Sequence, residues 1–188
     1  MADNDFILVR RCLDNDTTAF EELLNRHKNR IFSFILRIIR NQEDAEDLAQ
    51  ETFIKAFRGL HSYNPAYPFI TWLFRIAHNA CMDFLRARKP QALSIDADNP
   101  PDLPCAADSI GTAVDFTLRH EETEKLLASL PTIYAEILLL QYREDMTGQQ
   151  IADVMQIPEG TVKVRLFRAK ALMRNKLETM KPAEAKKG

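Results

Sequence analysis

The sequence predicts an all-α protein: two small helical domains joined by an acidic Pro-rich linker, the C-terminal one a helix-turn-helix. Three observations carry that expectation. Apolar residues recur at three- and four-residue spacing through most of the stretch from Phe6 to about Lys89. Glycine is scarce, 5 in 188 residues, while Leu, Ala, Arg, Lys and Glu are plentiful. Between Gln91 and about Ala113 large apolar residues are few, acids are frequent, and Pro100, Pro101 and Pro104 follow Pro90. That composition belongs to an extended, solvated linker and not to a packed element.

The elements follow in order. Asp16 or Thr17 caps a helix whose apolar stripe holds Phe20, Leu23, Leu24, Ile31, Ile35, Leu36 and Ile38. The stretch Asn41 to Glu43 interrupts the pattern. From about Glu43 to Leu60, Ala45, Leu48, Ala49, Thr52, Phe53, Ala56 and Phe57 repeat on one face, and Gly59 stands near the end. HSYNPAY, His61 to Tyr67, reads as a loop because Asn-Pro favours a turn. A further helix starts at Pro68, carries Phe69, Trp72, Leu73, Ile76, Ala77, Ala80, Met82 and Leu85, and is stopped by Pro90. Beyond the linker a helix restarts near Asp115 and runs to Ser129. Pro131 opens the next, with Ile133, Ile137, Leu138, Leu139 and Leu140 apolar, ending near Asp145. The expected organisation is residues 1–90, a linker over 91–113, a second domain over 114–180 and a tail over 181–188.

The net charge of −2 hides an uneven distribution. Residues 91–122 hold seven acids and one base, Arg119, whereas Lys163 to Lys176 hold six bases and no acid. The elements before and within that basic stretch form a helix pair. Thr147-Gly-Gln-Gln150 has the capping-box form, so a short helix follows and buries Ile151, Val154 and Met155. Ile157 to Gly160 makes the turn, and Thr161 is expected to cap the last helix. At about 100° per residue, Val162, Leu166, Ala169 and Met173 share one inward face. Lys163, Val164, Phe167, Arg168 and Ala171 lie opposite, flanked by Arg165 and Lys170. A solvated surface helix explains the charges but not an exposed Val and Phe among them. A DNA major groove explains both, with Arg and Lys on phosphates or guanine edges and apolar groups on thymine methyls.

Other clusters divide between ordinary and functional readings. The acids Glu43, Asp44, Glu46, Asp47 and Glu51 suit a solvated or protein-binding face. No His stands at the spacing a bundle metal site would want, and acids early in a helix favour its dipole. Most of Tyr63, Tyr67, Phe69, Trp72, Phe74 and Phe84 belong to a core by their helical spacing. Tyr63 and Asn64 in the loop, with Arg75 and Asn79 one turn apart on the next helix, would also suit unpaired bases. The four His residues form no triad with Cys or Ser, and no Gly-rich phosphate loop is present, so nothing points to an enzyme or a cofactor. Cys12, Cys81 and Cys105 have no metal or disulfide spacing. With no secretory signal and no long apolar run, the reading is a reducing, cytoplasmic setting.

Three stretches in this order and spacing carry a family resemblance: DAEDLAQETFIKAFRGL, PFITWLFRIAHNACMDFLR, and LPTIYAEILLLQYREDMTGQQIADVMQIPEGTVKVRLFRAKALMRNKL. From about Leu8 to Leu177 the chain resembles the bacterial RNA polymerase sigma factors of the extracytoplasmic-function (ECF) group of the sigma-70 family. A helix-turn-helix alone is common. The D-x-x-Q-E-x-F helix followed by F-x-x-W-L-x-R-I-A-x-N is specific. The resemblance implies that the first domain docks on the β′ clamp coiled coil of core RNA polymerase through Asp47, Gln50 and Glu51. It implies −10 melting and base capture by Tyr63, Asn64, Trp72, Arg75 and Asn79. It implies −35 recognition by Thr161, Lys163, Val164, Phe167 and Arg168, with Arg165 at the DNA backbone. It makes promoter DNA and the polymerase β′ and β subunits partners, with the linker threaded through polymerase channels. It also implies an anti-sigma factor, often membrane-bound in the family. Val164 departs from the small polar residue common there. The rival readings are a stand-alone helix-turn-helix regulator with an N-terminal sensing or dimerisation bundle, and a protein-interaction module.

Overall fold

A computed structural model describes residues 2–88 and 120–180, and every described element is helical. The first unit comprises α1 (Ala2–Leu13), α2 (Thr17–Ile39), α3 (Gln42–Gly59), a short 3-10 turn (Leu60–Ser62) and α4 (Phe69–Arg88). The second comprises α5 (His120–Ser129), α6 (Thr132–Leu138) continued by a π-helical turn (Leu139–Arg143), α7 (Gly148–Met155) and α8 (Glu159–Met180). The expected linker, 91–113, the residues up to 119 and the tail, 181–188, lie outside the described residues.

Helix ends are set by short polar side chains. Asp16 starts α2, its carboxylate accepting the Thr18 amide at 3.0 Å and the Thr18 hydroxyl at 2.6 Å. Arg11 reaches the other oxygen at 2.7 Å and so fixes the α1–α2 corner. Asn41 caps α3 through the Asp44 amide at 3.0 Å. Thr147 and Gln150 form both bonds of the capping box at the start of α7. Thr161 does not cap the last helix. Helix α8 begins two residues earlier, at Glu159, because Pro158 supplies a fixed φ and its carbonyl accepts the Thr161 and Val162 amides at 2.9 and 3.1 Å. Thr161 therefore sits inside the first turn.

In the first unit α2 is the spine. Its Leu23, Ile31, Phe34, Ile35 and Ile38 are buried against Leu48 and Phe53 of α3 and Leu73, Phe74 and Ala77 of α4. Phe34 and Phe74 meet edge to face with centroids 5.0 Å apart. Helix α1 is tied on by Asp5, which accepts from Arg26 at 2.6 Å and lies 2.9 Å from His27 Nε2. Burial raises the Asp5 pKa, but His27 and Arg26 outweigh it and hold the carboxyl below its usual range. In the second unit Leu126, Ile137, Leu140, Ile151, Val154, Val162, Ala169 and Met173 close the core. Phe57 departs from its expected place on the inward stripe of α3. It is 52% exposed, since Phe53 and Ala56 already fill the inward face.

The two units pack against each other. Helix α7 lies along α4, and Glu136 of α6, 1% exposed, hydrogen-bonds His78 Nδ1 of α4. Around them Arg37 pairs with Glu124 at 2.8 Å and Arg30 with Glu144 at 2.7 Å. Cys81, fully buried on α4, has its thiol pKa pushed far up by burial and then by the Glu136 charge.

Two outcomes test this description. Leu73→Ala removes a completely buried side chain and should cost about 2–5 kcal/mol in denaturant unfolding. Asp16 is held at about 2 by the Thr18 hydroxyl and then by Arg11. Its contribution is therefore complete above its ordinary value of 3.8 and is lost as pH falls towards 2. Asp16→Asn should flatten that part of the acid-unfolding profile, measured by circular dichroism.

Candidate nucleic-acid interface and docking face

The helix pair α7–α8 is built as its sequence requires. The α7 helix ends on Gln156, whose left-handed backbone (φ 55°) lets its amide close onto the Ala152 carbonyl. Pro158 then launches α8. On α8, Val162, Ala169 and Met173 are buried and Leu166 is half-buried, so the opposite face looks outward. There Val164 is 47% and Phe167 50% exposed, beside the exposed Lys163. Lys163 leans back on Glu159 at 3.1 Å, and Arg168 is half-buried at the edge. Arg165 stands apart from this group: burial lowers its guanidinium pKa, opposed by Tyr134 and Glu136. Lys170 covers the Tyr142 ring at 5.5 Å. A ridge of two apolar tips between cations offers van der Waals contact to thymine methyls and hydrogen bonds to phosphates or base edges.

The five side chains expected to form the base-capture site converge. Tyr63, Asn64, Trp72, Arg75 and Asn79 all line one cavity of about 1040 Å³. Tyr63, Phe69 and Trp72 stack in a triangle with each pair of ring centroids 5.6 Å apart. The Tyr63 hydroxyl donates to the Tyr67 carbonyl at 2.6 Å, and the Asn64 side chain accepts from the Ala66 amide at 3.0 Å. Both bonds hold the loop in shape. Burial, then the Asp5 charge, raises the Tyr63 phenol, so it stays a donor. Trp72 is half-buried within this cluster. The far wall of the cavity is not from the first unit: Gln149, Asp153, Gln156, Pro158 and Glu159 complete it.

On α3, Asp47, Gln50 and Glu51 are all exposed, and Glu51 pairs with Lys55 at 2.7 Å. Asp44 of the same acidic cluster is taken by Arg88 at 2.7 Å. Beside these exposed side chains runs an apolar groove between α2 and α3 of about 1180 Å³. It is lined by Phe20, Leu24, Phe32, Phe53, Ile54 and Phe57 among others, and includes Gln50. Ile54 is 50% exposed, and Phe57 meets Phe20 edge to face at 4.8 Å. Sequence reasoning named the acids and missed this groove. The signal was present: Phe53-Ile54 and Ala56-Phe57 are adjacent apolar pairs, which one helix face cannot bury together.

Comparison with known proteins fits this geometry. Residues 23–91 match the family model for Sigma-70 region 2, and residues 120–173 that for Sigma-70, region 4. An ECF RNA polymerase sigma-E factor of Haemophilus influenzae is 32% identical over 94% of this chain and 96% of its own length. The RNA polymerase sigma-H factor of Pseudomonas aeruginosa is 32% identical over 95% of this chain and 96% of its own. ECF sigma factor SigW of Bacillus subtilis is 28% identical over 92% and 96%. Among solved structures, CnrH in complex with the cytosolic domain of CnrY superposes with a TM-score of 0.69 at 24% identity, covering 94% of this chain and 99% of that one. Sigma factor RpoE of Bartonella quintana, solved with the anti-sigma factor NepR, gives 0.64 at 23% over 85% and 96%. The matches run through both helical units, which disfavours a stand-alone regulator using only the C-terminal pair. The chain belongs to the ECF sigma factors of the sigma-70 family, non-catalytic proteins that direct RNA polymerase to promoters.

Proposed function

We propose a division of labour along this sigma factor. Residues 1–90 dock on core polymerase and melt and read the −10 element. Residues 91–113 connect, and residues 114–180 read the −35 element as duplex. The observation that carries this reading is the separation of three surfaces of different chemistry. An acidic, apolar-grooved face on α3 suits a protein helix. An aromatic–amide cavity suits an unstacked base, with stacking by Trp72 and Tyr63 and edge contacts from Asn64, Asn79 and Arg75. A cationic ridge with apolar tips on α8 suits a major groove, with Lys163, Val164, Phe167 and Arg168 facing bases or phosphates and Thr161 and Arg165 at its margins.

Docking uses Asp47, Gln50 and Glu51 at the rim of the groove, towards the β′ clamp coiled coil, and Ile54 and Phe57 add apolar area. The polymerase β subunit completes the platform. Work of this kind is done in the cytoplasm. Among the described residues no helix is long and apolar enough to cross a membrane. A further partner is an anti-sigma factor, membrane-bound or free. The support is that the Bartonella RpoE, which shares this fold, was solved with the anti-sigma factor NepR, and CnrH, which also shares it, with the cytosolic domain of CnrY.

Run-off transcription with core RNA polymerase on fragmented genomic DNA tests the whole reading. Transcripts that need this protein and share upstream motifs are the expected result; specific duplex binding without polymerase-dependent transcripts would refute it. Asp47→Lys with Glu51→Lys should abolish polymerase binding in a pull-down while duplex binding persists. Arg168→Ala should weaken binding to the −35 duplex by about 1–3 kcal/mol if the side chain reads a base; an equal loss on every sequence would mark a phosphate contact.

A further inference from the structure

The aromatic wall of the candidate base-capture cavity rests on a buried support that none of the lining residues supplies. Tyr63 and Trp72 face the cavity, whereas Phe69, the first residue of α4, is the buried corner of their triangle. Behind Phe69 lies the buried His27 of α2, its ring centroid 5.8 Å away and its plane tilted by 46°. His27 Nε2 stands 2.9 Å from Asp5 Oδ2 of α1. An ionised carboxylate can only accept, so Nε2 is the donor, and the ring cannot turn over without losing the bond. The other nitrogen, Nδ1, is buried with no hydrogen-bond partner among the described residues, so Asp5 is what orients the ring. Asp5 is also buried and is held in turn by Arg26 Nη1 at 2.6 Å, while Arg26 reaches Glu22 at 3.0 Å.

We propose that His27, oriented by Asp5, is a positioning residue for base capture: its ring seats the Tyr63–Phe69–Trp72 triangle on which the unstacked −10 base lies. The inference rests on the promoter-reading function proposed above and adds to it two residues that do not line the cavity. Phe69 carries no polar side-chain atom, so its ring is placed by packing alone. Tyr63 and Trp72 are the rings it must place, and His27 is the aromatic contact on its other side. Ring pairs depend on offset and tilt, so a turn of Phe69 passes to both cavity-facing rings. The bond from the Tyr63 hydroxyl to the Tyr67 carbonyl closes the loop on itself and does not seat it on a helix.

Helix α1 is placed for this role. It packs against α4 and against the 3-10 turn that leads into Tyr63. The Asp5 charge is near enough to raise the Tyr63 phenol pKa, after burial has done so. A buried polar pair is a poor way to tie two helices for stability alone, since apolar side chains of similar volume do so without the desolvation cost. What the pair adds is direction. One hydrogen bond gives the ring a single orientation, and the ring it orients is the one against Phe69.

Two variants of the full chain test this. His27→Gln keeps an amide nitrogen for Asp5 and removes the ring from Phe69. Asp5→Ala keeps the ring and removes what orients it. Thermal melting by circular dichroism checks that each is folded, and either one alone suffices for the comparison. Each is assembled with core RNA polymerase. The probe is the fluorescently labelled promoter recovered by run-off transcription, mismatched over the −10 element so that melting does not limit binding. The same DNA is also made with one abasic site at each −10 position of the non-template strand in turn. With the wild-type chain, one abasic position should weaken binding by a factor of about 5–150, the worth of a stacked base. His27→Gln should weaken binding to the intact probe by a factor of about 3–10, and Asp5→Ala by a smaller factor. On the probe with that abasic site both should bind within about twofold of wild type, because a pocket with no base to hold is not missed. An equal loss on intact and abasic DNA would make the pair a plain tie between α1 and α2 and overturn the proposal. Unchanged binding of the intact probe by folded His27→Gln would overturn it too. Abasic sites that cost the wild-type chain nothing would instead overturn the base-capture reading, and this inference with it, and that result is read before any variant is compared.

Discussion

Helix α4 is the element on which the rest depends, because its first three turns are committed on three sides. Leu73, Phe74, Ala77 and Cys81 fill the first unit's core. Thr71 and His78 meet the second unit, and Trp72, Arg75 and Asn79 front the cavity. A helix used on three sides cannot shift without disturbing all three. That rigidity keeps the cavity-facing Trp72, Arg75 and Asn79 in fixed relation to one another.

Much of the first unit was legible in the sequence because long amphipathic helices advertise themselves. The stripe from Leu23 to Ile38, the Asn-Pro loop and the Pro68 start all fall where periodicity and turn chemistry put them. The capping box at Thr147 and Gln150 was equally readable, since it is a local interaction between residues three apart. The start of α8 was misread at Thr161 because two helix-starting signals stood close together. Pro158 prevailed: a fixed φ and a carbonyl already in place outweigh a hydroxyl three residues later.

What sequence reading missed is what depends on distant partners. Phe57 fits the period of α3 and still faces outward, because burial is decided by how many apolar side chains the neighbouring helix can accept. Thr71, Gln150, Gln156 and Glu136 carry no motif at all for their inter-unit contacts. Their spacing along the chain, 79 residues for one pair and 77 for another, is set by the fold. The five residues grouped by sequence do line one cavity, whereas its second wall was invisible.

The burial of Cys81 has a chemical consequence. Thiols react with peroxides and alkylating agents as thiolates, and a thiol pushed far above its ordinary range has almost none of that form at neutral pH. Cys12, half-buried on α1, is raised too, by burial and then by the Asp16 charge. The Cys81 sulfur is thereby kept as a small apolar packing group, and in the folded protein it should pass through an oxidative burst unchanged.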